Sequence, residues 1–549
     1  MKILCIVVLL ILLVACSSVA DTEDIYIEYV AEHVEHVTEG NEEVAENPGL
    51  EAPPIVLDVD GAEAESPIPV IHHELPTGNV VSVSASSNQA LALIDDGTLW
   101  AWGTEIWAWD EYLQQSVVVG VGDGTRESRN RPVQIMEDVT FALAAPYHSL
   151  AITSDGGLWT WGANPYGNLG DGTTEYSLSP VRVMEDVVYA TMLLTLPNSH
   201  VGTGARTYAI QSDGSLWAWG QSGMGNTPND VALGDGGTEN RHTPIRILEN
   251  AISVAATNNG GFAVTNDGRL WGWHGEIFRG YFDVETQTWK SEIAEAQRIP
   301  IPIMDNISTL CQRGTYVITT GGTLWALGRQ GINHEHVASH MIAGALNGEA
   351  NFVIFGANDL WASGRNRLPD HWRQGPLLGD GTTIDRHISV FIMENVASIT
   401  SVGNATYAIT TDGTLWAWGN NGGALGSGLL GDGAIFVWDD IEEHMWDFYR
   451  TTGHWGEFED GVLWLLDDDG GTGVRLSPVK IMENVVSVTA TYFMLDHGWI
   501  HGFRTFAVTE NGELWAWGEN SRGWQTEHDD WSWLGDGSGE TRLYPVRII

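Results

Sequence analysis

The sequence is short of basic residues and of cysteine. It holds 25 Lys and Arg against 72 Asp and Glu, which gives a formal net charge of −47 over 549 residues. A chain this acidic repels phosphate backbones and anionic lipid headgroups, so nucleic-acid binding and charge-driven membrane attachment are poor predictions. Only three cysteines are present, two of them within the first 16 residues, so we expect no intrachain disulfide.

The apolar run at the N-terminus is short. Residues 3–15 are too few to span a bilayer comfortably, but they suit the hydrophobic region of a signal peptide. The run ends Leu13-Val14-Ala15-Cys16, which resembles a bacterial lipobox. We therefore predict a signal peptide over 1–15 and a lipid on Cys16, with the protein on the outer face of a bacterial membrane. The alternative is an ordinary signal peptide and a secreted chain.

No Lys or Arg occurs between Lys2 and Arg126. Residues 16–78 are rich in Glu, Pro and Val, and self-repulsion with low hydrophobicity predicts an extended, flexible acidic tether. We interpret this segment as a spacer that lifts a folded domain off the membrane.

The rest of the chain consists of repeats of one sequence motif. Its anchor is Asp-Gly-x-Leu-Trp, with variants, and the anchor tryptophans are Trp100, Trp159, Trp217, Trp271, Trp325, Trp361, Trp416 and Trp515. A spacing mostly in the fifties predicts repeated supersecondary units. The interval of 36 between Trp325 and Trp361 indicates one stunted unit, which leaves seven or eight units open.

Each unit can be read in order. Asp412-Gly413 suits a tight hairpin turn, because both residues accept a positive φ. A strand from Thr414 to Trp418 follows, then a Gly-rich loop, and the unit ends with Pro478 to Asn484. About four short strands per unit without helical periodicity predict an all-β fold, a β-propeller of seven or eight four-stranded blades over 79–549.

The two ends of this region match each other. The chain stops at Tyr544 to Ile549, where a unit lacks its next half, while Asn79 to Val83 repeats the pattern of Asn484 to Val488. We therefore predict that the ring is closed by pairing of N- and C-terminal strands in one blade, which removes an unpaired sheet edge.

These residues resemble the regulator of chromosome condensation repeat family. The resemblance is clearest at His148 to Ile152, Asp155 to Gly162 and Leu169 to Thr173, and covers roughly 79–549. It implies a propeller, most often of seven blades. The family's founder exchanges guanine nucleotides on a small GTPase and binds chromatin, whereas a secreted bacterial relative inhibits a β-lactamase through one propeller face. Export and the net charge of −47 argue against the founder's activities here.

The positions of the tryptophans in the repeat distinguish core residues from candidate binding residues. Fourteen of the 26 recur at fixed repeat positions and are assigned to packing between blades. Most others fall between the Trp-Gly strand end and the Pro-Val-x-Ile strand, in loops that should share one face with acidic residues. We predict that this aromatic-acidic face binds a partner through Trp107, Trp109, Trp289, Trp438, Trp446, Tyr449, Trp455, Trp524, Trp531 and Trp533. The alternative is that such loops bury their own aromatics as small satellite cores.

Other candidate sites are weaker. An Asp-Gly turn offers one carboxylate, whereas calcium takes six to eight oxygens. The histidines His334, His336 and His340 have metal-like spacing, but no fourth ligand is evident and a solvated loop is favoured. Trp464 belongs either to the longest insertion, 434–476, or to a degenerate blade. We find no nucleophile motif or phosphate loop, and we predict no catalytic residues, metal or cofactor.

The favoured function is a non-enzymatic, surface-displayed scaffold. We expect a monomer that binds an extracellular protein or carbohydrate and is held at the membrane through lipid on Cys16. Two alternatives remain open. One is guanine-nucleotide exchange on a small GTPase by family analogy, and the other is a polysaccharide-active enzyme that uses acids and Trp at the loop face.

Overall fold

Asp-Gly turns join the second and third strands of successive sheets in the computed structural model of the chain. Gly97 has a φ of 88° and Gly413 a φ of 78°, values that favour glycine. The Asp155 carboxylate accepts hydrogen bonds from Gly157 N at 3.0 Å and Thr153 Oγ1 at 2.6 Å. The predicted turn chemistry is therefore confirmed, and these carboxylates are used within the turn.

The structure describes most of the repeat region. The described residues are 75–549 except 104–105, 111–114, 147, 194–205, 223–231, 258–259, 275–276, 284–287, 295–296, 311–315, 328–333, 340, 347–349, 367–376, 403–404, 421–473, 495–499 and 521–532. Within them, no helix is long and apolar enough to cross a membrane. The predicted signal peptide and almost all of the acidic tether lie outside the described residues.

The described strands form eight four-stranded antiparallel sheets, which we call blades 1 to 8. Blade 1 contains β1 (Val80–Ala85), β2 (Gln89–Ile94), β3 (Leu99–Gly103), an inserted hairpin of β4 (Ile106–Asp110) and β5 (Gln115–Val119), and β6 (Arg129–Met136). Blade 2 contains β7 (Val139–Ala144), β8 (His148–Thr153), β9 (Leu158–Gly162) and β10 (Ser177–Met184). Blade 3 contains β11 (Val187–Met192), β12 (Arg206–Gln211), β13 (Leu216–Gly220) and β14 (Arg241–Leu248).

The middle blades follow the same plan. Blade 4 contains β15 (Ala251–Ala256), β16 (Gly260–Thr265), β17 (Leu270–His274), a second inserted hairpin of β18 (Ile277–Asp283) and β19 (Thr288–Ala294), and β20 (Gln297–Met304). Blade 5, the stunted unit, still has four strands: β21 (Ile307–Leu310), β22 (Tyr316–Thr319), β23 (Thr323–Leu327) and β24 (His334–Ser339).

The last three blades complete the set. Blade 6 contains β25 (Met341–Leu346), β26 (Ala350–Phe355), β27 (Asp359–Gly364) and β28 (Arg386–Met393). Blade 7 contains β29 (Val396–Val402), β30 (Ala405–Thr410), β31 (Leu415–Asn420) and β32 (Val474–Met482). Blade 8 contains β33 (Val485–Met494), β34 (Ile500–Thr509), β35 (Leu514–Gly518) and β36 (Arg542–Arg547). The all-β propeller prediction is confirmed, and of the two blade counts left open the described sheets give eight.

Neighbouring blades are joined by one recurring hydrogen bond. In six of the described blades the first residue donates its N–H to the carbonyl of the turn glycine in the preceding blade, over 2.8–2.9 Å, and in blade 7 Val396 N donates to Asn358 O over 2.7 Å. The pairs are Val139 to Gly97, Val187 to Gly156, Ala251 to Gly214, Ile307 to Gly268 and Val485 to Gly413. Blades 8 and 1 share the same joint, because Val80 N donates to Gly512 O over 2.9 Å.

Tryptophan supplies the apolar half of each joint. The second Trp of each Trp-x-Trp pair is buried against the preceding blade, as where Trp161 Nε1 donates to Val121 O at 3.1 Å. Between blades 8 and 1, Trp102 meets Phe506 edge-on at 5.8 Å between ring centroids. A side chain on Gly535 would lie 2.8 Å from Trp102 Nε1. The assignment of these tryptophans to inter-blade packing is confirmed.

The predicted sharing of one blade by the two chain ends is wrong. β1 pairs with β2 in blade 1 and β36 pairs with β35 in blade 8, so the first and last strands belong to different blades. The physical reason is that Asn79 to Val83 is the standard start of a blade. It therefore matches Asn484 to Val488 because both begin first strands. The first and last blades meet by side-by-side packing and the hydrogen bond from Val80 to Gly512.

Candidate binding face

Two ends of the propeller differ in what they carry. Strands alternate in direction, so the connections between first and second strands and between third and fourth strands emerge at one end, which we call the loop face. The Asp-Gly turns and the links between blades lie at the other end, the turn face. The sequence insertions fall between third and fourth strands, so the loop face carries them, as predicted.

A clamp of three polar residues holds the base of these connections. In blade 8, Asn520 Oδ1 accepts from Leu534 N at 2.8 Å, and Asn520 Nδ2 donates to Asp536 Oδ1 at 3.0 Å. The second Asp536 oxygen accepts from Arg542 Nε at 2.7 Å. Blade 6 repeats the clamp with Asn366, Asp380 and Arg386. The loop returns to its blade at a fixed point whatever its length.

Electrostatics keep this clamp charged. Burial alone would raise the pKa of Asp536, but hydrogen bonds from Ser538 and Arg542 outweigh it and hold the pKa below its usual range. The same ion pair recurs between Asp123 and Arg129 and between Asp235 and Arg241. Sequence reasoning missed these arginines, although an Asp-Gly pair followed by Arg six residues after the Asp occurs in five units.

Beneath the loop face, buried polar residues link neighbouring blades. Gln89, His148 and Arg206 each begin a second strand, and Arg504 lies within β34. All four pair with the glycine that ends the third strand. Gln89 Nε2 donates to Ser149 Oγ of the next blade at 2.6 Å. Burial lowers the pKa of His148 to about 4 and that of Arg504 to about 9. Residue type varies at this position, so the repeat pattern did not reveal it.

Two aromatic hairpins stand at the loop face. Trp107 and Trp109 lie on β4, opposite Val118 and Ser116 of β5 in blade 1. Trp289 lies on β19 opposite Phe282 in blade 4. Both hairpins extend the connection between third and fourth strands, which is where these three residues were expected.

Trp533 is the one predicted binding residue whose side chain the structure places, and it is interior. Its side chain is 4% exposed, and the Arg504 guanidinium carbon lies 4.1 Å from the centre of its ring system. Its backbone N–H donates to Asn520 Oδ1 at 2.6 Å. Trp533 therefore fits the satellite-core alternative, because a ring covered by its own loop base is not offered to a partner.

The other predicted contacts lie outside the described residues. They are Trp438, Trp446, Tyr449 and Trp455 in the blade 7 unit and Trp524 and Trp531 in the blade 8 unit. Trp464, whose assignment to the insertion or to a degenerate blade stays open, also lies outside the described residues. The anchor points of the two sets are nonetheless placed, at Asn420 and Val474 for the first set and at Asn520 and Trp533 for the second. Because blade 8 joins blade 1, the connections of blades 7, 8 and 1 are consecutive in the ring, whereas the hairpin of blade 4 stands three blades away.

The histidine cluster is only partly placed. His334 and His336 lie on β24, opposite Leu327 and Trp325, and His340 lies outside the described residues. Among the side chains that the structure describes, no group of three His, Cys, Asp or Glu is arranged to hold a metal ion.

Comparison with known proteins gives one family and several distant relatives. The family model of the regulator of chromosome condensation repeat matches residues 155–191. The E3 ubiquitin-protein ligase HERC2 of Mus musculus is 27% identical over 218 residues, 37% of this chain and 4% of that protein. The ultraviolet-B receptor UVR8 of Arabidopsis thaliana is 27% identical over 200 residues, 35% and 41% of the two chains. This chain thus spans less than two thirds of either relative.

Among solved structures, Prp20p of Saccharomyces cerevisiae is similar over 86% of this chain and 87% of its own, with 16% identity and a TM-score of 0.44.

Proposed function

We propose that this chain, a member of the regulator of chromosome condensation repeat family, is a protein-binding scaffold that recognises its partner at the loop face. Its relatives are named as a ubiquitin ligase and as a light receptor, two activities without common chemistry. What they share with this chain is the repeat, and a repeated β-scaffold that presents loops suits recognition more than any one reaction.

One observation carries the proposal. Blade 7 carries the longest insertion and blade 8 a shorter aromatic one, and the hydrogen bond from Val80 to Gly512 sets blade 1, with Trp107 and Trp109, beside blade 8. Three consecutive connections of the loop face thus carry aromatic insertions. Aromatic residues with a polar rim are the usual composition of a protein interface that binds tightly.

The acidic content of these loops defines the partner further. The insertion at 434–476 contains Asp439, Asp440, Glu442 and Glu443 beside Trp438. A partner surface with apolar pockets and a basic rim would complement it. We also propose that the lipid on Cys16 and the tether at 16–78 display this face outside the cell, which accounts for the absence of basic residues near the membrane.

The experiment compares two loop replacements in the full chain. In one variant, residues 434–476 are replaced by a short Gly-Ser linker. In the matched control, the hairpin over 277–294 in blade 4 is replaced in the same way. Each protein is immobilised and exposed to cell-surface and secreted protein extracts, and captured proteins are then remade pure and their Kd measured.

We expect the first replacement to abolish binding of a purified partner and the control to leave its Kd unchanged. Equal loss in both variants, or in neither, would contradict recognition by blades 7, 8 and 1. Two further assays cover other functions. Saturable binding to a polysaccharide array would replace a protein partner by a glycan, and release of sugar products or of labelled GDP from a small GTPase would contradict a non-enzymatic scaffold.

A further inference from the structure

Every blade has the same irregularity at the turn-face end of its first strand. The pairing register of the first and second strands shifts between the first and third residues, so the second residue is an unpaired β-bulge. The bulged residues are Val81, Thr140, Val188, Ile252, Ser308, Ile342, Ala397 and Val486. A β-bulge redirects a side chain. Because all eight blades have one, the bulged residues determine which side chains the turn face exposes.

Apolar residues occupy most of these outward positions. Val188 is 59% exposed, Val486 45% and Ile252 44%, although the residue before each one is only 2% exposed. Val81 and Ala397 are half-buried. The chain thus exposes branched apolar side chains to solvent. Several such side chains close together indicate an interaction site.

The position of the first strands brings these residues together. First strands of consecutive blades lie against each other, as β1 does with β33 and β11 with β15, so they form the inner wall of the propeller. The bulged residues therefore ring the central opening at the turn face. We call Val81, Val188, Ile252, Ala397 and Val486 the apolar annulus.

An acidic rim surrounds the annulus. The link that precedes each first strand carries an exposed carboxylate in six blades, from Glu137, Glu185, Glu249, Asp305, Glu394 and Glu483. The Asp-Gly turns add more, including Asp96, Asp155 and Asp412.

Among the described residues, the cations at this face are few, and each of them lies in an ion pair. Arg182 contacts Asp155 at 3.0 Å, Arg246 contacts Glu249 at 3.3 Å and Arg269 contacts Asp305 at 3.1 Å. Lys480 and Arg547 lie within ion-pair distance of Glu483 and Glu513. The carboxylates of the turns and links outnumber these cations, so the rim keeps a net negative charge.

We propose that the turn face is a second docking surface, for a protein segment whose apolar residues are flanked by Lys and Arg. The annulus would take the apolar residues, and the rim would neutralise the cations and speed their approach. The same negative charge repels nucleic acids and anionic membranes, so the charge complementarity selects a basic, apolar protein segment.

The test uses the full chain and three fluorescent synthetic peptides of about 20 residues. One alternates Lys with Leu, one alternates Lys with Ser, and one alternates Glu with Leu. Fluorescence anisotropy gives each Kd at two salt concentrations. We expect the Lys/Leu peptide to bind at least about tenfold more tightly than the Lys/Ser peptide, and the Glu/Leu peptide not to bind.

Variants locate the binding. Val188→Ser, Ile252→Ser and Val486→Ser together should weaken Lys/Leu binding about tenfold or more with little change in melting temperature, because the three side chains are exposed. Ile299→Ser with Ile388→Ser is the matched control on the outer strands, where these residues are 54% and 82% exposed, and it should leave the Kd unchanged.

Three results would overturn the proposal. Equal affinity for the Lys/Leu and Lys/Ser peptides would mean that binding depends on charge alone and not on apolar contacts. Unchanged binding by the triple variant would remove the annulus from the site. Self-association in analytical ultracentrifugation that the triple variant abolishes would make a second copy of this chain the occupant. Replacement of 434–476 should not affect peptide binding, so this test is independent of the loop-face function.

Discussion

His148 gives the sharpest test of the buried polar residues beneath the loop face. Its side chain is 2% exposed, its Nε2 lies 3.2 Å from Thr207 Oγ1 of the next blade, and burial lowers its pKa to about 4. Blade 1 has glutamine at the equivalent position, where Gln89 bonds to Ser149. His148→Gln therefore removes the titrating group while keeping a polar side chain that this position accepts.

The magnitude follows from linkage between protonation and folding. An unfolded histidine titrates near pH 6.5, so between pH 6.5 and about 4 the unfolded chain binds a proton that folded His148 does not. Stability is therefore lost as the pH falls through this window. From pH 7 to pH 5 the loss attributable to His148 is about 2 kcal/mol.

The measurement is urea unfolding followed by tryptophan fluorescence at pH 7 and pH 5. The unaltered chain should lose about 2 kcal/mol more than His148→Gln between the two pH values. His387→Gln, a change of an exposed histidine on β28, is the control and should show the pH dependence of the unaltered chain. If His148→Gln and the unaltered chain lose the same stability, His148 is not buried in its neutral form and the reasoning fails.

Three further predictions concern the joint, the anchor and the insertions. Gly535→Ala should destabilise the fold by about 1–3 kcal/mol more than Gly172→Ala in urea unfolding, because both have positive φ but only Gly535 abuts Trp102; equal losses would remove the tryptophan joint between blades 8 and 1. Cys16→Ala should abolish partitioning of the bacterially expressed protein into detergent, and unchanged partitioning would remove the lipid anchor. Trp446→Ala and Trp531→Ala should leave the melting temperature nearly unchanged while weakening partner binding by about 2 kcal/mol; a large fall in melting temperature, as for a core Trp, would make them satellite core.

Sequence periodicity predicts the blades well because their geometry is local. An Asp-Gly turn, a Trp-x-Trp strand and a Pro-Val-x-Ile strand each carry their own conformational preference, and their recurrence along the chain, with variants, supports the same interpretation. The mode of closure is not local in this sense. Asn79 to Val83 matches the start of every blade, so the match alone could not show whether this strand completes blade 8 or begins blade 1.

Trp533 shows that sequence periodicity also cannot predict burial at the candidate site. In the sequence it resembles Trp524 and Trp531, and all three precede the Leu-Gly-Asp-Gly loop of blade 8. Its burial depends on Arg504, which comes from the second strand, and on Asn520, which ends the third-strand segment. Contacts between residues this far apart in the repeat leave no periodic signal, so composition alone could not separate a loop-base tryptophan from a loop-tip tryptophan.

The two faces vary for different physical reasons, and this bears on where function lies. At the turn face, the link and the turn are tied together, since Asp95 N donates to Asn79 O and Val139 N donates to Gly97 O, both at 2.9 Å. An insertion there would break a joint between blades. At the loop face, the clamp of Asn, Asp and Arg in blades 6 and 8 fixes only the base of the connection, so the loop beyond it is free to lengthen. The connection between third and fourth strands ranges from 328–333 in blade 5 to 421–473 in blade 7. Recognition that must change between relatives can therefore evolve by insertion at the loop face, whereas the turn face can change only by substitution, as at its bulged positions.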